Sequence, residues 1–295
     1  MTKCVPFVLS RTGRMIAHTG VFLSIACLPV TGSGPRPAMA QGGAEQASAP
    51  WVKDLHSAVG LLGGSRRDGA LLGGIAIRLD PGWKTYWRTP GDSGVPPRFD
   101  FSASDNVAAV TVLWPAPQKF PDGAGGTSFG YRNDVVLPLR IVATKPDSPV
   151  TLRARIDYAV CEKLCLPVEA NTELTLPVPS GPDDPALDAA LARVPQRASV
   201  GAGGSFGVRA VKREGKTVTV EVAAPPGEAV DLFAEGPTPD WALPPPTLRD
   251  TTPDGLRLFS FELEGLPPGA RSEGAVVRLT LTGTGRAYDY DVTLD

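Results

Sequence analysis

The chain has 295 residues and a formal net charge of −2 at pH 7, with 33 glycines and 31 prolines. This nearly balanced charge shows no basic footprint of the kind that nucleic-acid binders carry, so no nucleic acid is expected as a partner. The length allows one or two domains, and the short apolar runs between glycines and prolines favour strands joined by turns.

The predicted elements begin with a cleaved signal peptide over residues 1–40. A basic start without acidic residues precedes an apolar run at 21–30, and an Ala-x-Ala site occupies 38–40. This order is typical of secretory signal peptides, whereas a membrane-spanning helix needs about 20 apolar residues. Lipoprotein processing at Cys27 is the alternative. The mature chain is therefore predicted not to span a membrane and to lie in the periplasm, an oxidising compartment.

Beyond the signal peptide, the apolar pattern predicts strands rather than helices. Leu152, Ile156 and Tyr158 alternate with charged residues, which indicates a strand with one buried face. Similar runs predict strands at 70–79, 107–114, 135–143, 151–160, 168–178, 206–211, 217–223, 256–263, 275–282 and 288–294. Their spacing predicts an all-β protein with two antiparallel β-sandwich domains in tandem.

A segment rich in glycine, proline and aspartate separates the two groups of strands. It predicts a linker over residues 181–205, with one short helix at 185–193. The first domain is then expected at 50–180 and the second at 206–295.

Removal of the signal peptide leaves two cysteines, Cys161 and Cys165, in the stretch YAVCEKLCLP at 158–167. Continued strand alternation predicts that both face solvent and that Leu164 faces the core. A disulfide needs Cα atoms about 4.4–6.8 Å apart, while four residues of straight strand span roughly 13 Å. A bonded pair therefore requires a turn at 162–164.

Residue types alone leave three uses of this pair open. A structural disulfide is the common use in secreted proteins, although closing a five-residue loop contributes only about 2 kcal/mol. A redox pair is equally compatible, because closely spaced cysteines on a turn suit thiol–disulfide exchange. Binding of Cu(I) ranks below both, since the mature chain has no methionine and a single histidine, His56. No metal site is predicted.

Four ordered blocks of the sequence carry a family resemblance. They are PGWKTYWRTPGDSGVPP (81–97), VLWPAPQKF (112–120), SFGYRNDVVLPLRI (128–141) and LRARIDYAVCEKLCLPVEANTELTLPV (152–178). These blocks resemble the periplasmic N-terminal domain of the thiol:disulfide interchange protein DsbD, especially its relatives of the suppressor-of-copper-sensitivity B type. The resemblance implies an immunoglobulin-like first domain whose cysteine pair takes electrons from a membrane part and passes them to periplasmic partners.

The resemblance also implies roles for individual residues. Cys161 and Cys165 match the family's redox pair, and Tyr86 lies in the block that supplies aromatic neighbours to that pair. Residues 118–130 match a cap loop that shields the reduced pair. Within this loop, shielding or proton-handling roles are expected for Phe120, Asp122 and Phe129. The three-residue spacing between the cysteines and the glycine-rich loop depart from the family pattern.

Together these features predict a periplasmic protein-disulfide reductase or electron relay, which needs no cofactor because its cysteines carry the electrons. Since the chain shows neither the membrane region nor the thioredoxin-like domain of DsbD, its expected donor is a separate membrane-embedded disulfide reductase. Its expected acceptors are periplasmic thioredoxin-like proteins. The alternatives are a copper-tolerance module that uses the same thiols and a scaffold with a structural disulfide. Residues 206–295 resemble the companion β-domain of larger relatives at DLFAEGP (231–237), with no role assigned.

Overall fold

The computed structural model describes residues 47–122 and 125–295, and the regular secondary structure of this part of the chain is almost entirely β-strand. The predicted signal peptide at 1–40 lies outside the described residues. The first group of strands is β1 (Val52–Lys53), β2 (Ser57–Arg67), β3 (Ala70–Leu79), β4 (Lys84–Gly91), β5 (Arg98–Asp100), β6 (Val107–Val112), β7 (Gln118–Pro121), β8 (Thr127–Arg132), β9 (Val135–Ala143), β10 (Val150–Cys161) and β11 (Cys165–Leu176).

These strands form a sandwich of two sheets. One sheet has the order β1-β2-β3-β9-β6, and the other has the order β11-β10-β4-β8-β7, with β5 paired to β10. The predicted alternation along β10 is observed, because its apolar residues up to Tyr158 are buried and the intervening charged ones are partly or fully exposed. The core between the sheets is made of side chains such as Leu61, Ile75, Leu139 and Leu152, which are fully buried.

A second sandwich follows. The short helix α1 (Pro185–Leu191) precedes it, and its strands are β12 (Gln196–Arg197), β13 (Gly207–Glu214), β14 (Thr217–Ala223), β15 (Asp231–Glu235), β16 (Thr247–Thr251), β17 (Arg257–Glu262), β18 (Val276–Gly283) and β19 (Arg286–Thr293). The strands form two four-stranded sheets, β12-β19-β18-β15 and β13-β14-β17-β16. Every pair is antiparallel except β12 with β19. The predicted all-β fold with two sandwiches in tandem is therefore confirmed.

The segment predicted as a linker is structured. The carboxylate of Asp184 caps α1 by accepting a hydrogen bond from the backbone N–H of Ala186. Leu187 of this helix is fully buried against Gly64 and Gly74 of the first sandwich, where added Cβ atoms would lie 2.8 and 3.3 Å from its side chain. The helix ends at Leu191, two residues before the predicted end. The domain limits 50–180, 181–205 and 206–295 remain a prediction. No helix in the described part of the chain is long and apolar enough to cross a membrane.

Several strands do not appear in the sequence pattern. β2, β4, β8 and β15 were not predicted, because glycines and charged residues interrupt their apolar alternation. In β2, a Cβ at Gly63 would lie 2.9 Å from both Ala47 and Leu176. Glycine is therefore required by close packing in a strand where its propensity is poor.

Candidate functional site

The two cysteines lie at the end of the β10–β11 hairpin. Cys161 and Cys165 are register partners in the ladder and are joined by a disulfide, with their Cα atoms 4.2 Å apart. Glu162, Lys163 and Leu164 form the connection between the strands. The turn that the sequence requires for a bonded pair is confirmed.

The exposure of this hairpin agrees with the prediction for Cys165 and differs from it for Cys161 and Leu164. Cys161 is only 2% exposed, whereas Cys165 is exposed and Leu164 is 70% exposed. Alternation along β10 predicts solvent for Cys161, but a neighbouring strand changes its surroundings. β10 pairs with the start of β4, and Tyr86 of β4 packs with Ala159 and Cys161 in a small buried cluster on the outer face of the sheet. Leu164 is exposed because the turn takes it out of the ladder.

Tyr86 lies directly on the disulfide. Its hydroxyl is 2.8 Å from Sγ of Cys161, to which it donates, and 3.1 Å from Sγ of Cys165. The residue is 3% exposed, and burial raises the pKa of its phenol above the ordinary value. Tyr86 therefore remains a neutral hydrogen-bond donor at physiological pH. Gly94 provides room for the ring, since a Cβ there would lie 2.7 Å from Cδ1 of Tyr86.

An open groove of about 750 Å³ begins at Cys165. Val95 and Pro96 line it together with Ala159 and Pro167, which are register partners. The lining is mainly apolar, and charged side chains also border it, namely Arg98, Asp157 and Glu169. Val95 is 50% exposed, so an apolar surface is available next to the accessible sulfur. The GDSGVPP block that contains Val95 and Pro96 was noted in the sequence, but its position beside the cysteines was not predicted.

The predicted cap loop is a hairpin of β7 and β8. Phe120 is 5% exposed on the outer face, where Lys84 and Arg132 lie over its ring at 5.5 and 4.9 Å from the centroid. Nζ of Lys84 donates to Oγ of Ser128 at 3.1 Å. Burial, followed by the charge of Arg132, lowers the pKa of Lys84. Lys84 is the register partner of Cys161 and was not identified from the sequence.

Asp122 and Phe129 lie at different depths in this hairpin. The carboxylate of Asp122 accepts a hydrogen bond of 2.9 Å from the backbone N–H of Gly126, and its charge acts to raise the pKa of Lys84. Residues 123–124, at the tip, are outside the described part of the chain. Phe129 is buried in the main core, on the opposite side of the sheet from Gly130, the register partner of Tyr86. The roles of Phe120, Asp122 and Phe129 remain predictions.

Among residues 47–122 and 125–295, no group of three or more His, Cys, Asp or Glu side chains is arranged to hold a metal ion. The two sulfurs of the described site are held in a disulfide, whose chemistry is thiol–disulfide exchange or structural cross-linking.

Comparison with known proteins agrees with the fold and identifies a similar family. Residues 66–177 match the family model described as "Thiol:disulfide interchange protein DsbD, N-terminal". The crystal structure of the N-terminal periplasmic domain of ScsB from Proteus mirabilis superposes with a TM-score of 0.65 and 21% sequence identity, covering 85% of this chain and 99% of that one. At this identity the structural match shows the fold alone. No curated protein has significant sequence similarity to the chain. The expected immunoglobulin-like fold is confirmed, and residues 66–177 are similar in sequence to the family of DsbD N-terminal domains.

Proposed function

We propose that this protein is a periplasmic thiol–disulfide exchange protein that acts as a protein-disulfide reductase or electron relay. One observation carries the proposal. The disulfide has one buried and one exposed cysteine, and a buried tyrosine hydroxyl lies within hydrogen-bond distance of both sulfurs. A purely structural cross-link needs neither an accessible sulfur nor a donor for a developing thiolate.

The exchange uses the two cysteines in different roles. In the reduced protein, the Cys165 thiolate attacks a partner disulfide, forming a Cys165–partner bond and releasing one partner thiolate. The Cys161 thiolate then attacks Sγ of Cys165, which forms the intramolecular disulfide and releases the second partner thiolate. Two electrons pass to the partner, and the released thiolates take up protons from water. The exposure of Cys165 supports its role as the attacking residue, with Cys161 as the resolving one.

The hydroxyl of Tyr86 has a direct part in this chemistry. A hydrogen bond to a charged sulfur stabilises the thiolate relative to the thiol, and the thiolate is both the nucleophile and the leaving group. Because burial keeps the phenol neutral, the donor is present throughout the physiological pH range.

The partners follow from the family and the site. The description of the family model supports exchange with other thiol proteins, and the periplasmic domain of ScsB supports the same compartment. We propose a membrane-embedded disulfide reductase as the electron donor and periplasmic thioredoxin-like proteins as acceptors. The cysteines carry the electrons, so no cofactor takes part in the proposed reaction.

The equilibrium reduction potential of the Cys161–Cys165 pair tests this function. Purified mature protein would be equilibrated in defined thiol buffers, and the reduced fraction measured by alkylation. A potential between roughly −180 and −270 mV lies in the range of known oxidoreductases, whereas structural disulfides lie below about −300 mV. A value in the structural range would overturn the proposal.

Copper binding is the other function predicted from the same thiols. A titration of the reduced protein with Cu(I) against a competing chelator separates the two. Stoichiometric binding that either Cys161→Ser or Cys165→Ser abolishes, together with a potential in the structural range, would favour the copper module.

A further inference from the structure

The motif DLFAEGP, to which the sequence assigned no chemistry, contains strand β15 of the second sandwich. Its residues alternate in direction, as in any strand. Leu232 and Ala234 are buried in the core of their own sandwich. The other three, Asp231, Phe233 and Glu235, contact strands of the first sandwich. One face of β15 thus packs against the first sandwich.

Glu235 binds two consecutive residues of β4. Its carboxylate accepts hydrogen bonds from Nε and Nη2 of Arg88 at 2.8 and 2.7 Å, and from Oγ1 of Thr89 at 2.7 Å. The side chains of Glu235 and Arg88 are only 11% and 20% exposed. A bidentate pair in this setting is strong and directional, so it constrains the position of the β4 backbone.

Phe233 completes the core of the first sandwich rather than that of its own. It is fully buried, and its ring centroid lies 5.6 Å from that of Trp87 and 4.8 Å from that of Phe129, both in edge-on geometry. Trp87 follows Tyr86 on β4, and Phe129 belongs to β8. One side chain of the second sandwich therefore packs against both strands.

Lys119 of β7 connects the β7–β8 hairpin to the second sandwich. Its Nζ lies 3.6 Å from the carboxylate of Asp231 and donates to the backbone carbonyl of Pro246 at 3.2 Å. It also lies over the ring of Phe233, 5.3 Å from the centroid. The second sandwich thus holds β7 as well as β4 and β8.

The contacts with β4 are made by the part of this strand in which its pairing with β8 is irregular. The ladder between β4 and β8 is regular through Tyr86, which pairs with Gly130, and then shifts register before Gly91 pairs with Ser128. Residues 87–89 lie inside this irregularity. Bulges of this kind redirect neighbouring side chains, which can then make contacts outside their own sheet. Here those contacts are made with β15.

We propose that Phe233 and Glu235 are positioning residues for the redox site, acting through β4 to keep the hydroxyl of Tyr86 on the two sulfurs. The second sandwich then has a defined role, which is to hold the irregular part of β4 and the β7–β8 hairpin in place. This inference rests on the proposed function for its biological meaning, but the geometry of the site can be tested independently of any partner.

The test compares Glu235→Gln with Glu221→Gln. Glu221 pairs with Lys212 inside the second sandwich, so the control loses the same charge from an ion pair that does not touch β4. Each protein is reduced with a phosphine, and the rate of alkylation by iodoacetamide is measured across pH. We expect Glu235→Gln to raise the midpoint by about 0.4 unit or more, at least a twofold change in the thiolate fraction below the midpoint, because residues coupled through a backbone shift typically interact by at least that factor. Glu221→Gln should retain the wild-type profile.

A second variant keeps the test decisive if Glu235→Gln does not fold. Thr89→Val removes one hydrogen bond to Glu235 and is expected to shift the midpoint in the same direction by a smaller amount. Circular dichroism and thermal unfolding are recorded for each protein. If the folded variants have lower thermal stability but the wild-type alkylation profile, β15 only joins the two sandwiches and the inference is overturned. If the reduction potential of the wild type lies in the range of structural disulfides, the proposed function is refuted. The alkylation profile still decides whether Phe233 and Glu235 position the redox site.

Discussion

Replacement of Tyr86 by phenylalanine separates the hydroxyl of this residue from its ring. The ring fills the cluster with Ala159 and Cys161, and Tyr86→Phe retains that packing. Only the oxygen that lies 2.8 Å from Sγ of Cys161 and 3.1 Å from Sγ of Cys165 is lost. Because the residue is 3% exposed, bulk water has little access to take its place.

The size of the effect follows from the strength of that hydrogen bond. Hydrogen bonds to charged groups contribute about 1.5–3 kcal/mol, and 1.36 kcal/mol corresponds to about one pKa unit. Sulfur is a weaker acceptor than oxygen, so the lower end applies. We expect Tyr86→Phe to raise the pKa of the more acidic thiol of the reduced pair by about one unit. The reduction potential should fall by up to about 30 mV where the thiolate predominates, because a stabilised reduced form is lost.

The assay is the ultraviolet absorbance of the thiolate as a function of pH, with the reduction potential measured in parallel. Tyr131→Phe is a matched control, since this buried hydroxyl donates to the carbonyl of Pro115 at 2.8 Å, away from the sulfurs. The control should lose stability without a change in either redox quantity. An unchanged thiol pKa and potential in a folded Tyr86→Phe protein would refute the reasoning.

Three further outcomes are expected. Cys161→Ser should accumulate a mixed disulfide with a thioredoxin-like partner on non-reducing gels. Cys165→Ser should accumulate much less, because its remaining cysteine, Cys161, is buried. The reverse order would contradict the assigned roles. Val95→Lys should slow exchange with that protein about fivefold, as for a moderate interface residue, while exchange with a small thiol is retained; equal slowing of both would exclude a docking role for the groove. Asp183→Asn should lower the midpoint of thermal unfolding at pH 7. Burial alone would raise the pKa of Asp183, but hydrogen bonds from Ser65 and the charge of Arg67 lower it overall. The stability that ionised Asp183 contributes is therefore present above the ordinary aspartate pKa of about 3.9 and is lost as the pH falls below it. The difference in unfolding midpoint between Asp183→Asn and wild type should accordingly shrink as pH falls, and a constant difference would contradict this.

Local sequence was sufficient to predict the strand that leads to Cys161 and the turn between the two cysteines. The alternation of Leu152, Ile156 and Tyr158 identifies a half-buried strand, and the short spacing of the cysteines makes a turn necessary for a disulfide. Both follow from backbone geometry, which is a local property. The family blocks then pointed to Tyr86, whose hydroxyl the structure places on the sulfurs.

The burial of Cys161 could not be predicted in the same way. Cys161 is buried because Tyr86, 75 positions earlier in the chain, lies over it. The strand that carries Tyr86 has no clear alternation, because Thr85 is buried on the core side of the sheet while Arg88 and Thr89 bind the second sandwich. A pattern along one strand records which side is apolar and does not record what covers the other side.

The fold class, the two groups of strands and the closely spaced cysteine pair on a turn can be derived from the sequence. These features depend on strand periodicity and turn residues, which neighbouring positions specify. The tertiary structure alone decided which sulfur is accessible, where the apolar groove lies, and that Phe233 and Glu235 contact the strand of Tyr86. Each of these depends on contacts between residues far apart in the chain, such as Arg88 with Glu235, and burial and charge pairing are properties of the assembled surfaces.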